Sequence, residues 1–314
     1  MKVLVTGGAG YVGTTLVPQL LEKGYEVTVL DRLMWGGAVL IPFFKHPNFH
    51  FIKGDVRNEE LMKKVVADKD VIIHLAAIVG FPACDANPIM ADTTNVESCR
   101  ILSKLVSKGQ HVIFASSGSN YGRVVGQVCT EETPVNPISR YSRNKLEGEK
   151  ILMEGTTCTA LRPGTAFGVS PRLRLDLLPH ELTLQALKTK SIVLYEAWAI
   201  RPFIHVHDFG RAFVFAVEHK DAMKNQIYNL GADPLNYTKR QIADLVATHT
   251  GATVEESNAW QDPDQRHYQV SYKKLHDVGY RHTISMEDGI KELLRVLPVA
   301  TLFNPYSNQN EMLG

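Results

Sequence analysis

Tyr141 and Lys145 are two side chains of this 314-residue sequence whose types and spacing suggest proton transfer. They stand four residues apart in the segment RYSRNK, so a helix would place them on one face. A tyrosine hydroxyl with a pKa of about 10 is a poor base near neutrality, and a cation one turn away favours its phenolate. The same spacing on an exposed helix usually has no chemical role, so the neighbouring elements decide its meaning.

A glycine-rich turn near the start of the chain predicts a dinucleotide site. Gly7, Gly10 and Gly13 form GGAGYVG directly after the apolar run 3–6 and before a helical stretch. Glycines permit the tight turn and let backbone N–H groups approach a pyrophosphate at the positive end of the helix. Asp31, which closes the next strand-like run, is expected to bind the adenosine ribose. Arg32 could meet the extra phosphate of NADP, but the Asp31 carboxylate would repel that phosphate, so NAD is favoured.

Short β-branched runs alternate with segments of helical spacing over the first 165 residues, which indicates βαβ units and a parallel sheet. Helices are predicted at 92–108 and at 141–155, and the second would carry Tyr141 and Lys145. After about Gly168 the alternation fades into shorter elements separated by prolines. We therefore predict an α/β fold with a Rossmann doubly wound parallel sheet at 1–170 and a smaller C-terminal α/β substrate-binding domain at 171–314. The predicted strands are KVLVT, YEVTVLD, FHFIKGD, VIIHLAA, HVIFASS and CTALRPG.

Composition limits the classes of partner. A formal net charge of +1 provides no field that would attract nucleic acid or a membrane surface. The opening MKVLVTGGAG fits neither a signal peptide nor a transit peptide, and no apolar run approaches the ~20 residues that span a bilayer. The cysteines are scattered, and His205 and His207 have no evident third ligand, so no disulfide framework or metal site is expected. We expect a soluble cytoplasmic protein.

Five motifs in order carry a resemblance to a known family. They are TGGAGYVG at 6–13, HLAA at 74–77, ASSGSNYG at 115–122, RYSRNK at 140–145 and RPFIHVHD at 201–208. Through them the chain resembles the NAD-dependent epimerase/dehydratase family, the extended short-chain dehydrogenases, over essentially its whole length. The resemblance implies that NAD is the cofactor, that Tyr141 and Lys145 transfer the proton and that Ser117 orients the reacting hydroxyl.

The resemblance also implies cofactor contacts and a homodimer. The helices predicted at 92–108 and 141–155 resemble those that form a four-helix dimer interface in the family. The cofactor-binding positions that it implies, together with the glycine turn and Asp31, are Gly7, Gly10, Tyr11, Val12, Gly13, Asp31, Asp55, Val56, Leu75, Ala76, Ala77, Asn95, Tyr141, Lys145 and Pro163.

A nucleoside-diphosphate sugar is the substrate that the resemblance implies. Arg201 is the best candidate for a charged contact to the diphosphate. Thr165 stands where sugar epimerases of the family often have Asn. Arg172 and Arg174 are weaker candidates, since arginines in a proline-flanked loop are usually solvated. The predicted substrate-binding positions are Ser117, Thr165, Asp176, Leu177, Arg201 and Arg266.

The positions after Ser117 bear on which reaction is run. Branches of the family carry extra acid–base groups there: Asp-Glu in 4,6-dehydratases, Glu in sugar-acid decarboxylases and Cys in fucose-synthase types. This chain has Gly118 and Ser119 instead. The resemblance thus favours a 4-epimerase that acts through a 4-keto intermediate. A GDP-heptose-like 4-dehydrogenase that releases the keto sugar is the alternative, and a non-catalytic dinucleotide-binding sensor is a remote one.

Overall fold

The computed structural model describes residues 1–259, 261 and 266–300. Its strands alternate with helices along the first half of the chain, as the sequence predicts. The strands are β1 (Lys2–Thr6), β2 (Glu26–Asp31), β3 (Phe49–Lys53), β4 (Val71–His74), β5 (His111–Ala115), β6 (Arg123–Cys129), β7 (Cys158–Pro163), β8 (Thr165–Phe167), β9 (Ser191–Tyr195), β10 (Ile200–His205), β11 (Gln226–Leu230), β12 (Asn236–Thr238), β13 (Thr253–Ser257) and β14 (His267–Val270).

Helices connect and cover these strands. They are α1 (Gly13–Glu22), α2 (Glu59–Val66), α3 (Phe81–Ala86), α4 (Pro88–Asp92), α5 (Ser98–Leu105), α6 (Arg140–Gly155), α7 (Leu178–Thr189), α8 (Val206–Glu218), α9 (Lys220–Met223), α10 (Lys239–Thr250), α11 (Lys273–Val278) and α12 (Met286–Val296).

A seven-stranded sheet forms the centre of the fold, in the order β11-β7-β5-β4-β1-β2-β3, and all of its pairings are parallel. The strand order reverses between β1 and β4, where a crevice opens at the carboxyl ends of the strands. Each of the six predicted strands lies in this sheet, so the predicted doubly wound α/β fold is confirmed. The seventh strand, β11, was not predicted.

Apolar side chains fill both faces of the sheet. On one face α1 and α8 pack against alternate residues of the strands, among them Val3 and Val5. On the other face α2, α5 and α6 cover the intervening residues, such as Leu4 and Ile72. Because a strand alternates its side chains, the two cores hold the sheet rigid from both sides.

The predicted helix at 92–108 is a longer helical run that begins at Pro88 and contains a π-helical turn at Thr93–Glu97 between α4 and α5. Such turns widen a helix locally and are frequent at functional sites. The second predicted helix is α6, whose first turn is fixed by a reciprocal capping box between Ser139 and Ser142. This cap fixes the start of the helix one residue before Tyr141.

A second, smaller layer lies over the carboxyl ends of the large sheet. It contains the sheets β12-β10-β8, β13-β9 and β14-β6, with α7, α10 and α12 packed around their own apolar cluster. The division into 1–170 and 171–314 stays a prediction, and α8 and β11, both beyond residue 170, pack onto the large sheet. None of the helices in the described part of the chain has the length and apolar character needed to cross a membrane.

Candidate functional site

A cavity of about 880 Å³ lies between the large sheet and the smaller layer. All but one of the predicted site residues line it, although they come from widely separated parts of the sequence. The residues that it brings together are Gly7, Gly10, Tyr11, Val12, Gly13, Asp31, Asp55, Val56, Leu75, Ala76, Ala77, Ser117, Tyr141, Lys145, Pro163, Thr165, Asp176, Leu177, Arg201 and Arg266. The exception is Asn95.

The glycine turn between β1 and α1 requires glycine for different reasons at different positions. Gly7 has a φ of +76°, and a Cβ there would lie 2.8 Å from the backbone nitrogen of Ala76. A Cβ at Gly13 would lie 2.5 Å from the Cα of Gly8. At Gly10 a Cβ would contact only the Gly7 carbonyl oxygen, at 3.1 Å, so this position leaves room for a ligand.

Hydrogen bonds lock the glycine turn to the chain that enters the smaller layer. The Tyr11 hydroxyl donates to the Gly168 carbonyl at 2.7 Å, and the Ser170 hydroxyl donates to the Tyr11 carbonyl at 2.7 Å. The Thr14 and Ser170 hydroxyls lie 2.8 Å apart. The turn and the loop at 168–170 therefore form one wall of the cavity.

Asp31 lies at the carboxyl end of β2 and faces the cavity. Its carboxylate accepts hydrogen bonds from the backbone N–H groups of Ala9, at 3.0 Å, and Leu33, at 2.7 Å. Burial raises the pKa of Asp31 although these bonds oppose the change. Arg32 contacts Asp55, with Nη1 3.6 Å from Oδ2. Arg32, the cation that could have bound the extra phosphate of NADP, thus pairs with the Asp55 carboxylate instead.

Asn95 does not line the cavity. Its amide donates to the Ile78 carbonyl at 2.9 Å and accepts from the Ile78 N–H at 2.8 Å, so it supports the loop after β4 from behind. The neighbouring Thr94 lines the cavity on the π-helical turn, and its buried hydroxyl has no hydrogen-bond partner among the described residues. The sequence motif indicated this turn, but it could not show which of the two side chains faces inward.

The glycine turn, Asp31 and Thr94 together fit a dinucleotide. A buried hydroxyl without a partner costs free energy unless a ligand satisfies it. The N-terminus of α1 offers backbone N–H groups to an anion, and Gly10 leaves space for that anion. The Asp31 carboxylate retains accepting capacity for ribose hydroxyls.

Tyr141 and Ser117 both line the cavity. The Ser117 hydroxyl faces Tyr141 and favours its phenolate. The Ser117 and Ser119 hydroxyls lie 2.7 Å apart, and Ser117 also accepts from the Ser119 backbone N–H at 3.1 Å. Ser117 follows the end of β5 by two residues and Tyr141 is the second residue of α6, so the sheet and the capped helix fix the geometry of the pair.

The pKa values of Tyr141 and Lys145 differ from the sequence-based expectation. Burial raises the pKa of Tyr141 to about 12, and Arg174 and Arg266, rather than Lys145, are the cations that favour its phenolate. Burial lowers the pKa of Lys145 to about 8. The ammonium lies 4.3 Å from the centre of the Phe114 ring. In the protein without cofactor, burial therefore has a larger effect on the pKa of Tyr141 than the nearby cations have, and the expected lowering of that pKa is not seen.

Several cavity residues of the smaller layer were missed or underrated. Arg174 is not solvated: its Nε donates to Asp176 Oδ1 at 3.0 Å, and the paired guanidinium outweighs burial and lowers the pKa of Asp176. The buried Arg172 guanidinium stacks on Trp35 with its carbon 4.2 Å from the ring centre, which joins the loop after β2 to the smaller layer. Lys239 also lines the cavity and contacts Glu196 at 3.1 Å. Long-range contacts of this kind leave no local spacing in the sequence.

Arg201 and Arg266 face the cavity from β10 and from the residue before β14. Arg201 is 6% exposed, which means that its charge is largely desolvated inside the cavity wall. Such guanidinium groups suit bidentate binding of phosphate oxygens. Residues 262–265, from the same sequence motif as Arg266, lie outside the described residues.

A sequence profile described as the NAD dependent epimerase/dehydratase family matches residues 3–231, which is most of the chain. A putative UDP-glucose 4-epimerase of Methanocaldococcus jannaschii is 26% identical over 304 residues, covering 93% of this chain and 97% of that protein.

Solved structures share the fold over nearly the whole chain. UDP-glucose 4-epimerase of Thermus thermophilus, in complex with NAD, has a TM-score of 0.83 and 26% identity, with 96% of this chain and all of that chain covered. The dTDP-glucose 4,6-dehydratase DesIV of Streptomyces venezuelae, with NAD and TYD bound, has a TM-score of 0.83 and 27% identity, with 94% and 96% covered. Overall similarity is therefore shared by enzymes that run different reactions.

Proposed function

The chain belongs to the NAD-dependent epimerase/dehydratase family, and on that basis we propose that it is an NAD-dependent nucleotide-sugar 4-epimerase acting through a 4-keto intermediate. One observation carries the proposal. One cavity is lined by the glycine turn and Asp31, by Ser117 and Tyr141, and by Arg201. This set of groups suits a nicotinamide cofactor and a nucleoside-diphosphate sugar that would meet at the tyrosine.

Tyr141 is proposed as the group that takes the proton from the sugar 4-hydroxyl. Ser117, which faces Tyr141, would hold that hydroxyl in line, and the Arg174 and Arg266 guanidiniums support the phenolate. Bound NAD would supply the hydride acceptor, and the positive charge of its oxidised ring favours the phenolate further. Lys145, one helical turn from Tyr141, is proposed to contribute as an ammonium, which its pKa of about 8 permits near neutrality.

The diphosphate of the substrate is proposed to bind between Arg201 and Arg266. Two guanidinium groups can satisfy a charged diphosphate inside a wall where water is scarce. Thr165, Asp176 and Leu177 line the same part of the cavity and are proposed substrate contacts. Asp176 would act mainly by holding Arg174, with which it forms a buried ion pair.

Gly118 and Ser119 favour epimerisation over dehydration. Loss of the 6-hydroxyl needs a positioned acid and base, and neither residue offers a carboxyl group. The Ser119 hydroxyl is already engaged with Ser117. Oxidation at carbon 4 followed by return of the hydride to the opposite face requires no additional acid and no external oxidant.

We further propose a cytoplasmic homodimer that serves carbohydrate biosynthesis. The helical run from Pro88 to Leu105 and α6 lie side by side on one face of the large sheet, as an interface built from two helices of each subunit requires. Measurement of the mass of the protein in solution by light scattering tests this assembly.

The test of the function is incubation with GDP-, UDP- and dTDP-sugars, with NMR of the product and absorbance in the reduced-nicotinamide band. An epimerase yields the 4-epimer and ends each cycle with oxidised cofactor. Persistent reduced cofactor with a 4-keto product identifies the 4-dehydrogenase instead. A dehydrated or decarboxylated product contradicts the interpretation of Gly118 and Ser119, and binding without any turnover identifies a sensor.

A further inference from the structure

Glu149 is a buried carboxylate beside the active site that the proposed reaction does not use. It lies on α6 one turn beyond Lys145 and is 2% exposed. Its Oε2 accepts from the Ser116 hydroxyl at 2.6 Å and from Arg162 Nε at 3.0 Å, and its Oε1 accepts from Arg162 Nη2 at 2.7 Å. A buried charge with this many partners is held in one position.

These partners place Glu149 at a junction of three elements. Ser116 directly follows the last residue of β5 and precedes Ser117, and its hydroxyl also accepts from the Asn120 amide at 3.1 Å. Arg162 directly precedes Pro163, which lines the cavity at the end of β7. Glu149 therefore ties the helix that carries Tyr141 and Lys145 to both strand ends that face them.

Glu149 also provides the negative charge that faces Lys145 from the described part of the chain. The groups that face Lys145 are His74 of β4, Cys84 of α3, Cys99 of α5, Phe114 of β5 and Glu149 of α6. Burial raises the pKa of the Cys84 and Cys99 thiols, so both stay neutral. Burial also lowers the pKa of His74 to about 3, so its imidazole stays neutral.

We propose that Glu149 is a positioning residue of the active site, which fixes Ser117 and Lys145 relative to Tyr141 and keeps the Lys145 side chain charged. This inference rests on the proposed function, because only a reaction at Tyr141 gives the ammonium a purpose. A buried ion pair that served stability alone would hold α6 on the sheet but would have no influence on the protonation of Lys145.

The experiment is a pH titration of Lys145 in the intact protein labelled with ¹³C at lysine, with the resonance assigned through Lys145→Met. Wild-type protein is expected to titrate near pH 8. Glu149→Gln removes the charge and keeps the shape, so the titration should fall by about one pH unit. Glu149→Asp keeps the charge and should restore most of the shift. Glu147→Gln on the same helix, whose exposed side chain pairs with Arg100, is the matched control and should change nothing.

Turnover provides the second measurement. In Glu149→Gln the alkaline limb of kcat against pH should move down with the lysine titration, while KM for the nucleotide sugar stays within twofold. If the unpaired Arg162 prevents folding, Glu149→Gln combined with Arg162→Met removes both charges; because a cation is lost with the carboxylate, the Lys145 titration should fall in the same direction but by less.

An unchanged Lys145 titration in either folded variant overturns the proposal, and so does a loss of kcat by the same factor at every pH. The titration needs no substrate, so it can be interpreted even if wild-type protein turns over no nucleotide sugar, a result that defeats only the proposed function.

Discussion

Two alanine variants of the glycine turn should have different effects: Gly7→Ala should lower the stability of the fold, and Gly10→Ala should weaken cofactor binding. In Gly7→Ala the residue must keep a φ of +76° with its new Cβ 2.8 Å from the backbone of Ala76. The left-handed backbone costs a non-glycine residue about 1–2 kcal/mol. Close packing against a neighbouring backbone adds about 1–3 kcal/mol. We therefore expect a loss of about 2–5 kcal/mol, which lowers Tm by about 4–10 °C for a chain of this size.

Gly10→Ala should have the opposite outcome. Its Cβ contacts only the Gly7 carbonyl oxygen at 3.1 Å and otherwise projects into the cavity. Stability should change by less than about 1 kcal/mol. A methyl group at this position should displace a pyrophosphate from its backbone donors, and loss of one charged hydrogen bond weakens NAD binding by at least about 10-fold.

Gly24→Ala is the control for the backbone term alone. Gly24 has a φ of +78°, but a Cβ there would have no neighbour within 4 Å. The Tm loss of Gly7→Ala beyond that of Gly24→Ala therefore measures the contact with Ala76. Thermal unfolding and calorimetric titration with NAD provide both quantities. Equal Tm values for the Gly7 and Gly24 variants, or full NAD affinity in Gly10→Ala, would refute the reasoning.

Three further predictions concern the chemistry. Tyr141→Phe should lower kcat at least ~10²-fold while NAD stays bound, because the proton-transfer group is gone; steady-state rates near those of the wild type would exclude this tyrosine as the base. Asp31→Ala should reduce the preference for NAD over NADP in binding titrations, since the carboxylate that binds ribose and repels phosphate is lost; an unchanged ratio contradicts that role. Arg201→Ala should raise KM for a nucleotide sugar by ~1.5–3 kcal/mol, or roughly 10- to 150-fold, and leave the Kd for NAD unchanged; a matching loss with free sugar argues against diphosphate binding.

The parts of the fold and site that follow local rules could be predicted from the sequence. The six strands were recognisable because buried parallel strands read as short β-branched runs. The glycine turn was recognisable because its three glycines are spaced within seven residues between a strand and a helix, and Gly7 and Gly13 leave no space for a side chain. By contrast, β11 pairs with β7 across more than sixty positions of sequence, and no local pattern shows which sheet a late strand will join.

The direction in which a side chain points was the other feature that the sequence could not predict. The motif around Asn95 marked the correct turn, but the π-helical register points Asn95 at Ile78 and leaves Thr94 at the cavity. The sequence suggested that Arg174 is a solvated loop residue, but the structure shows it in a buried ion pair with Asp176. The pKa of Tyr141 depends mainly on its burial, and the four-residue spacing to Lys145 in the sequence gives no information about burial.

The return of the chain to the large sheet constrains how this architecture can be recombined. After β10 the polypeptide leaves the smaller layer, adds α8 and β11 to the first core, and then goes back to build α10 and α12. A graft that exchanges the part of the smaller layer from α7 onward with that of a relative therefore needs a junction on each side of the α8–β11 segment, as well as one before α7. A chimaera made with a single crossover would bring a foreign α8 and β11 against the native α1 and β7. Its first defect would be a mismatched core rather than an altered choice of sugar.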